Sequence, residues 1–105
     1  MTINEPFVMF DTPEEKRIGL SRMNPVPKGR YFVFPYVMDP GVITTELMKV
    51  PIRVYQLDES LKIVHVQKVK PLRVVKLEPQ TFHVVESATG TPVLNDFRPL
   101  KKMLW

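Results

Sequence analysis

The chain has 105 residues, fifteen Lys and Arg against eleven Asp and Glu for a net charge of +4, eleven prolines, four glycines and no cysteine. That length makes about one domain, and an apolar fraction of 44% is close to the globular average and excludes disorder as the default. The missing thiol excludes a disulfide scaffold, thiolate metal sites and a cysteine nucleophile, and the high proline content argues against long helices.

In chain order, Phe7-Val8-Met9-Phe10 reads as a short strand. A helix is expected next, over residues 13–23. Thr12 can cap it, Pro13 suits its first position, and Glu15 completes a capping box with Thr12. Pro25 and Pro27 stop propagation, while Gly19 within it weakens the helix by about 1 kcal/mol relative to alanine. Tyr31-Phe32-Val33-Phe34, ending at Pro35, is a second strand. Ile52 to Leu57 alternates apolar and polar residues, the mark of a half-buried strand, and Asp58-Glu59-Ser60 turns it into a hairpin partner over Leu61 to Val69. Leu72 to Leu77 and Thr81 to Glu86 are further strands, and Thr91-Pro92 is read as the start of a last short helical turn. The expected fold is mainly β: a single-domain barrel or sandwich over residues 1–105, with about six to seven short strands and one short helix.

Four stretches in this order resemble the domain of unknown function 192 family of small, mostly uncharacterised prokaryotic proteins. Asp11-Thr12-Pro13-Glu14-Glu15 through Gly19-Leu20-Ser21-Arg22 is similar to the family's opening, and Gly29-Arg30-Tyr31-Phe32-Val33-Phe34-Pro35 to its first strand. Val50-Pro51-Ile52-Arg53-Val54 resembles its Ile-Pro-Leu-Asp-Ile, and Val84-Val85-Glu86-Ser87-Ala88-Thr89-Gly90-Thr91 its Val-Leu-Glu-Leu-Pro-Ala-Gly-Thr. The resemblance implies a β-rich fold with one helix and no established activity. Where the family has Phe-Trp-Met-Lys-Asn-Thr, this chain has Ile43-Thr44-Thr45-Glu46-Leu47-Met48, and Arg53 replaces the strand's aspartate. A ligand site there is expected to be lost, or rebuilt around Thr44, Thr45, Glu46 and Arg53.

No catalytic constellation stands out. Ser21 lacks the strand–turn–helix setting of a nucleophile and is expected to bond its own backbone. His65 and His83 lie eighteen residues apart without the spacing of a metal site, so no metal or cofactor is expected. His65 is read as solvent-facing. Lys62, Lys68, Lys70, Arg73 and Lys76 form a basic stretch with no acidic residue between Glu59 and Glu78, a candidate polyanion or nucleic-acid face that lacks interleaved aromatics. The tail over residues 97–105 carries Phe97, Leu100, Met103, Leu104 and Trp105, a candidate partner-docking segment.

These absences move the expectation from chemistry to assembly. The leading reading is a non-enzymatic structural or interaction module that joins protein partners in an oligomer or larger particle, such as a phage virion. A small-ligand binder or cryptic enzyme with a rebuilt pocket is the alternative, and nucleic-acid binding a further one. No run approaches the ~18 apolar residues of a spanning helix, and Met1 to Pro6 lacks the pattern of a signal peptide. The expected address is the cytoplasm, or a particle assembled there, without membrane contact.

Overall fold

The computed structural model describes residues 2–4, 6–23, 25–37, 42–45 and 48–104. Its elements run β1 (Thr2–Asn4), β2 (Phe7–Met9), α1 (Pro13–Ile18), β3 (Tyr31–Phe34), β4 (Val42–Thr44), β5 (Ile52–Leu57), β6 (Ile63–Val69), β7 (Val74–Lys76) and β8 (His83–Ala88). A 3-10 turn (Arg98–Leu100) then leads into α2 (Lys101–Leu104). Thr12 and Glu15 form the expected capping box. The helix stops at Ile18, however, and not at residue 23. Gly19 is its cap, not an interior residue, because its φ of +56° turns the chain out of the helical track.

Six strands form one sheet in the order β1-β2-β3-β8-β5-β6, and β4 pairs with β7 in a separate ribbon. The sheet is open, so the mainly β expectation holds while a closed barrel is not formed. Its β2–β3 pair is parallel and all its other pairs are antiparallel. A parallel pair needs a long crossover, and the segment containing α1 supplies it. Thr91-Pro92 starts no helix. The helical turns come later, over residues 98–104, with proline at their entry.

The central strands β3 and β8 are buried at every position, which is why they read as continuous apolar runs. Alternation divides their side chains between two cores. Val8, Phe32, Phe34, Ile52, Val54 and Val84 face one side, where Leu20, Met48, Ile43 and Val75 cover them. Met9, Val33, Tyr55, Leu57 and Val85 face the other, where the C-terminal segment lies over them through Leu94, Phe97 and Leu100. The expected docking tail is therefore core: Phe97 and Leu100 are fully buried in their own domain and cannot be an exposed contact. The Phe97 ring packs on Tyr55, Tyr31 and Phe7 with centroids 4.9, 6.3 and 6.5 Å away. Met103 and Leu104 are half-buried against the same core. Trp105 lies outside the described residues.

Candidate functional site

On the α1 side of the sheet the covering elements leave a pocket of about 610 Å³. Each wall has a local cause. The capping box fixes the start of α1, so Lys16 and Arg17 in its last turn stand along one side. Gly19 then reverses the chain and lays Leu20 and Ser21 beside them. Phe34 on β3 and Val84 and Glu86 on β8 form the floor, while Ile43, Thr44 and Met48 close the side under the β4–β7 ribbon.

Glu86 is the exceptional residue of this floor. Its cross-strand neighbours are Phe32 on β3 and Val54 on β5, both apolar and both on the pocket side. The residue is 8% exposed, and no hydrogen bond or ion pair from a described residue reaches its carboxyl. Burial alone pushes its pKa up to about 7, because an apolar site disfavours the ionised form. Near neutrality the protonated and ionised forms are then comparably populated, and the protonated form can both donate and accept. Gln56 shows how this fold treats a polar side chain it buries for structure. Its Oε1 accepts from the Glu78 N–H and the Thr81 hydroxyl, each at 2.7 Å.

Tyr36, at the pocket edge, has a φ of +57°, rare for a residue with a side chain. Its N–H donates to His83 Nδ1 at 3.1 Å, and its ring meets those of His83 and Phe82 edge-on. This bond places the proton of the neutral imidazole on Nε2. Burial first, and the nearby Lys16 charge second, pull the His83 pKa below its ordinary value. His83 does not line the pocket.

The rebuilt pocket expected from the sequence is not formed as a unit. Thr44 does line the cavity. Thr45 is buried elsewhere, its hydroxyl donating to the Lys70 carbonyl at 2.7 Å and accepting from the Arg73 N–H at 3.0 Å. Arg53 falls on the opposite face of β5, with Tyr55 and Leu57, because neighbouring strand positions alternate. It donates to the Thr91 carbonyl at 3.1 Å. Glu46 lies outside the described residues.

The basic stretch is likewise divided. Lys62, Lys68, Lys70, Arg73 and Lys76 are all exposed, but Lys68 pairs with Arg53 on the tail side while Lys76 belongs to the ribbon over the other side. The five do not make one face. Ser21 donates to the Ile18 carbonyl at 2.7 Å, the backbone role expected of it. His65 is half-buried rather than solvent-facing, its Nε2 3.1 Å from Gln67 Oε1. The residue that sequence reasoning passed over is Glu86. The signal was available as a lone carboxylate in step with Val84 and Ala88 on one side of an apolar strand.

No helix among the described residues is long and apolar enough to cross a membrane. No family model matches the chain, and neither does any curated protein. The chain is similar to a protein of unknown function from Novosphingobium aromaticivorans DSM 12444, whose crystal structure was solved at 1.22 Å. The TM-score is 0.70 at 14% identity, over 80% of this chain and 63% of that one. The likeness is one of fold, a small β-rich domain, and this chain spans less than two thirds of its neighbour.

Proposed function

We propose that this domain is a non-enzymatic binding module whose pocket takes a small organic molecule with an apolar body. Its neutral polar inner end meets Glu86, and an acidic outer end lies beside Lys16 and Arg17. The observation that carries this reading is Glu86, a residue more than nine-tenths buried whose carboxyl has no partner among the described residues, on the floor of a cavity. A titratable carboxyl set on an otherwise apolar cavity floor and shifted by burial points to a ligand that meets it there. The two α1 cations disfavour a cationic ligand and favour an anionic one. Under the resemblance to the domain of unknown function 192 family, Ile43, Thr44 and Met48 stand in that family's Phe-Trp-Met-Lys-Asn-Thr segment, and Glu86 in its closing motif. The site would then be that pocket, rebuilt with smaller and less polar side chains. Binding without turnover is the preferred form, since the Ser21 hydroxyl is spent on the helix end and both imidazoles lie outside the lining.

The assembly reading, including membership of a larger particle, loses part of one of its supports, since Phe97 and Leu100 of the tail are core while Met103 and Leu104 are half-buried.

A matched series separates the possibilities: 4-hydroxyphenylacetate, 4-hydroxyphenylacetamide and tyramine share a ring and hydroxyl but differ in end charge. Backbone amide shifts at Phe34, Val84 and Glu86 should be largest for the anion and smallest for the amine. Glu86→Ala should abolish them, and acidification through about pH 7 should strengthen binding as Glu86 takes up its proton. Pocket shifts for none of the three, or shifts unchanged in the Glu86→Ala variant, would overturn the reading.

A further inference from the structure

A second feature lies on the outer side of the β4–β7 ribbon, apart from the pocket. Leu72 and Val74 are large apolar side chains left 69% and 62% exposed. Leu72 also has a φ of +62°, a backbone conformation that costs energy for any residue with a Cβ. The turn is not loose. Thr45 grips it with its hydroxyl on the Lys70 carbonyl at 2.7 Å, and its N–H donates to the Arg73 carbonyl at 2.8 Å. The Leu72 N–H donates back to the Thr45 carbonyl at 2.9 Å, and the Arg73 N–H to the Thr45 hydroxyl at 3.0 Å. A buried threonine thus holds a strained leucine outward, and strain maintained by its surroundings is a mark of function. Lys70, Arg73 and Lys76 flank it, all exposed, and the Arg73 guanidinium folds over the Leu72 carbonyl at 3.3 Å. Val74 points outward in step with Lys76, since Val75 between them packs inward.

We propose that this knuckle, Leu72 and Val74 flanked along the chain by Lys70, Arg73 and Lys76, docks the domain on an anionic lipid bilayer. The charge is complementary to such a surface, and the sequence carries no acidic residue between Glu59 and Glu78. The apolar pair decides between polyanions. Phosphate contacts to nucleic acid gain nothing from isobutyl and isopropyl groups in water, whereas an acyl boundary receives them. Aromatic side chains for stacking on bases are also missing from residues 56–81. The expectation of no membrane contact rested on the lack of a spanning segment, and peripheral docking needs none.

The test is co-sedimentation of the full chain with vesicles of phosphatidylcholine alone and of phosphatidylcholine mixed with phosphatidylserine. Binding should require phosphatidylserine and weaken with added salt. Neutralising Lys70, Arg73 or Lys76 singly should cost roughly fivefold each. Leu72→Ser with Val74→Ser should cost roughly tenfold. Both positions are exposed, so a thermal melt should show that this double variant still folds. Failure to prefer anionic vesicles would overturn the proposal. So would full binding by the double variant, or tighter binding to duplex DNA that the double variant retains. None of these results bears on the Glu86 pocket, which lies on the inner side of the ribbon.

Discussion

The two sides of the six-stranded sheet bury similar numbers of apolar side chains by different means. On the tail side the packing is closed: Val33, Tyr55, Leu57, Val85, Phe97 and Leu100 are each 0% exposed. Polar tips there fasten the covering segment, Tyr31 donating to the Pro92 carbonyl at 2.7 Å and the Leu94 N–H to the Tyr55 hydroxyl at 3.2 Å. The one loose end on that side is Ser87 Oγ, a neutral hydroxyl buried without a partner among the described residues. On the α1 side the cover is incomplete, and a carboxyl with no partner among the described residues stands beside a cavity of about 610 Å³. The contrast separates two kinds of burial. Aromatic packing closes the tail side for stability, whereas the α1 side keeps a group that costs stability, the one the proposed ligand would meet.

The largest effect expected from breaking this contrast is at Phe97. Truncating a fully buried phenylalanine removes its transfer free energy and leaves a cavity, together about 3–5 kcal/mol. For a domain of this size each kcal/mol lowers the melting temperature by roughly 4–8 °C. Phe97→Ala should therefore unfold well below the parent in chemical and thermal denaturation. A loss under about 1 kcal/mol would mean that the tail does not seal the sheet, and the contrast would fall.

Next in size is the pH dependence that Glu86 builds into the open side. Its pKa rises from an ordinary 4.5 to about 7 on folding. Between these values the folded state holds more protons than the unfolded one, so stability falls as pH rises through this window and levels off above it. The shift corresponds to a loss on the order of 3 kcal/mol between acid and neutral pH. His83 acts in the opposite sense. Its pKa is lowered on folding, so its contribution is present above the ordinary histidine range and declines as pH falls below it. Measuring Glu86→Gln against the parent across pH isolates the first effect. The variant should gain stability at neutral pH and lose that advantage near pH 4.5. A difference that does not change with pH would show that the carboxyl is already paired or solvated.

Sequence reading succeeded where the cause is local. β3 over Tyr31–Phe34 and β5 over Ile52–Leu57 match the expected runs, because each is an apolar stretch with a proline at one end. The capping box at Thr12 and Glu15 is likewise a matter of four adjacent residues. β1 and β4 went unread, being three residues each and owing their extended form to partners, β7 in the case of β4 about thirty residues away. The family resemblance puts Arg53 and Thr45 in one pocket, but alternation and layering put one on the tail side and the other under the Leu72 turn. Glu86 was visible yet unremarkable, because a polar residue in an alternating strand ordinarily faces water. Only the ribbon and the α1 segment laid over that side bury it. The tail's Phe97 and Leu100 were apolar in the sequence for the ordinary reason: their three-residue spacing turns both inward at the helical turn.

The smallest expected effect tests whether the tail's cover is pinned at its outer end. Asp96 accepts from the Arg98 N–H at 2.9 Å and from its guanidinium at 2.7 Å, fastening the turn that follows Phe97. Those hydrogen bonds from Arg98 hold its pKa down to about 2. The unfolded chain takes up this proton first as pH falls, so the contribution is present above the ordinary aspartate pKa and is lost through acid pH towards 2. The pair is exposed and screened by solvent, so Asp96→Asn should shift the melting temperature only slightly at neutral pH and less still in high salt. Its signature is a flatter decline of stability at acid pH, in a range where Glu86 is already protonated and adds no slope. An unchanged acid decline in this variant would leave Phe97 and Leu100 as the residues that keep the tail closed, with nothing added by the surface pair.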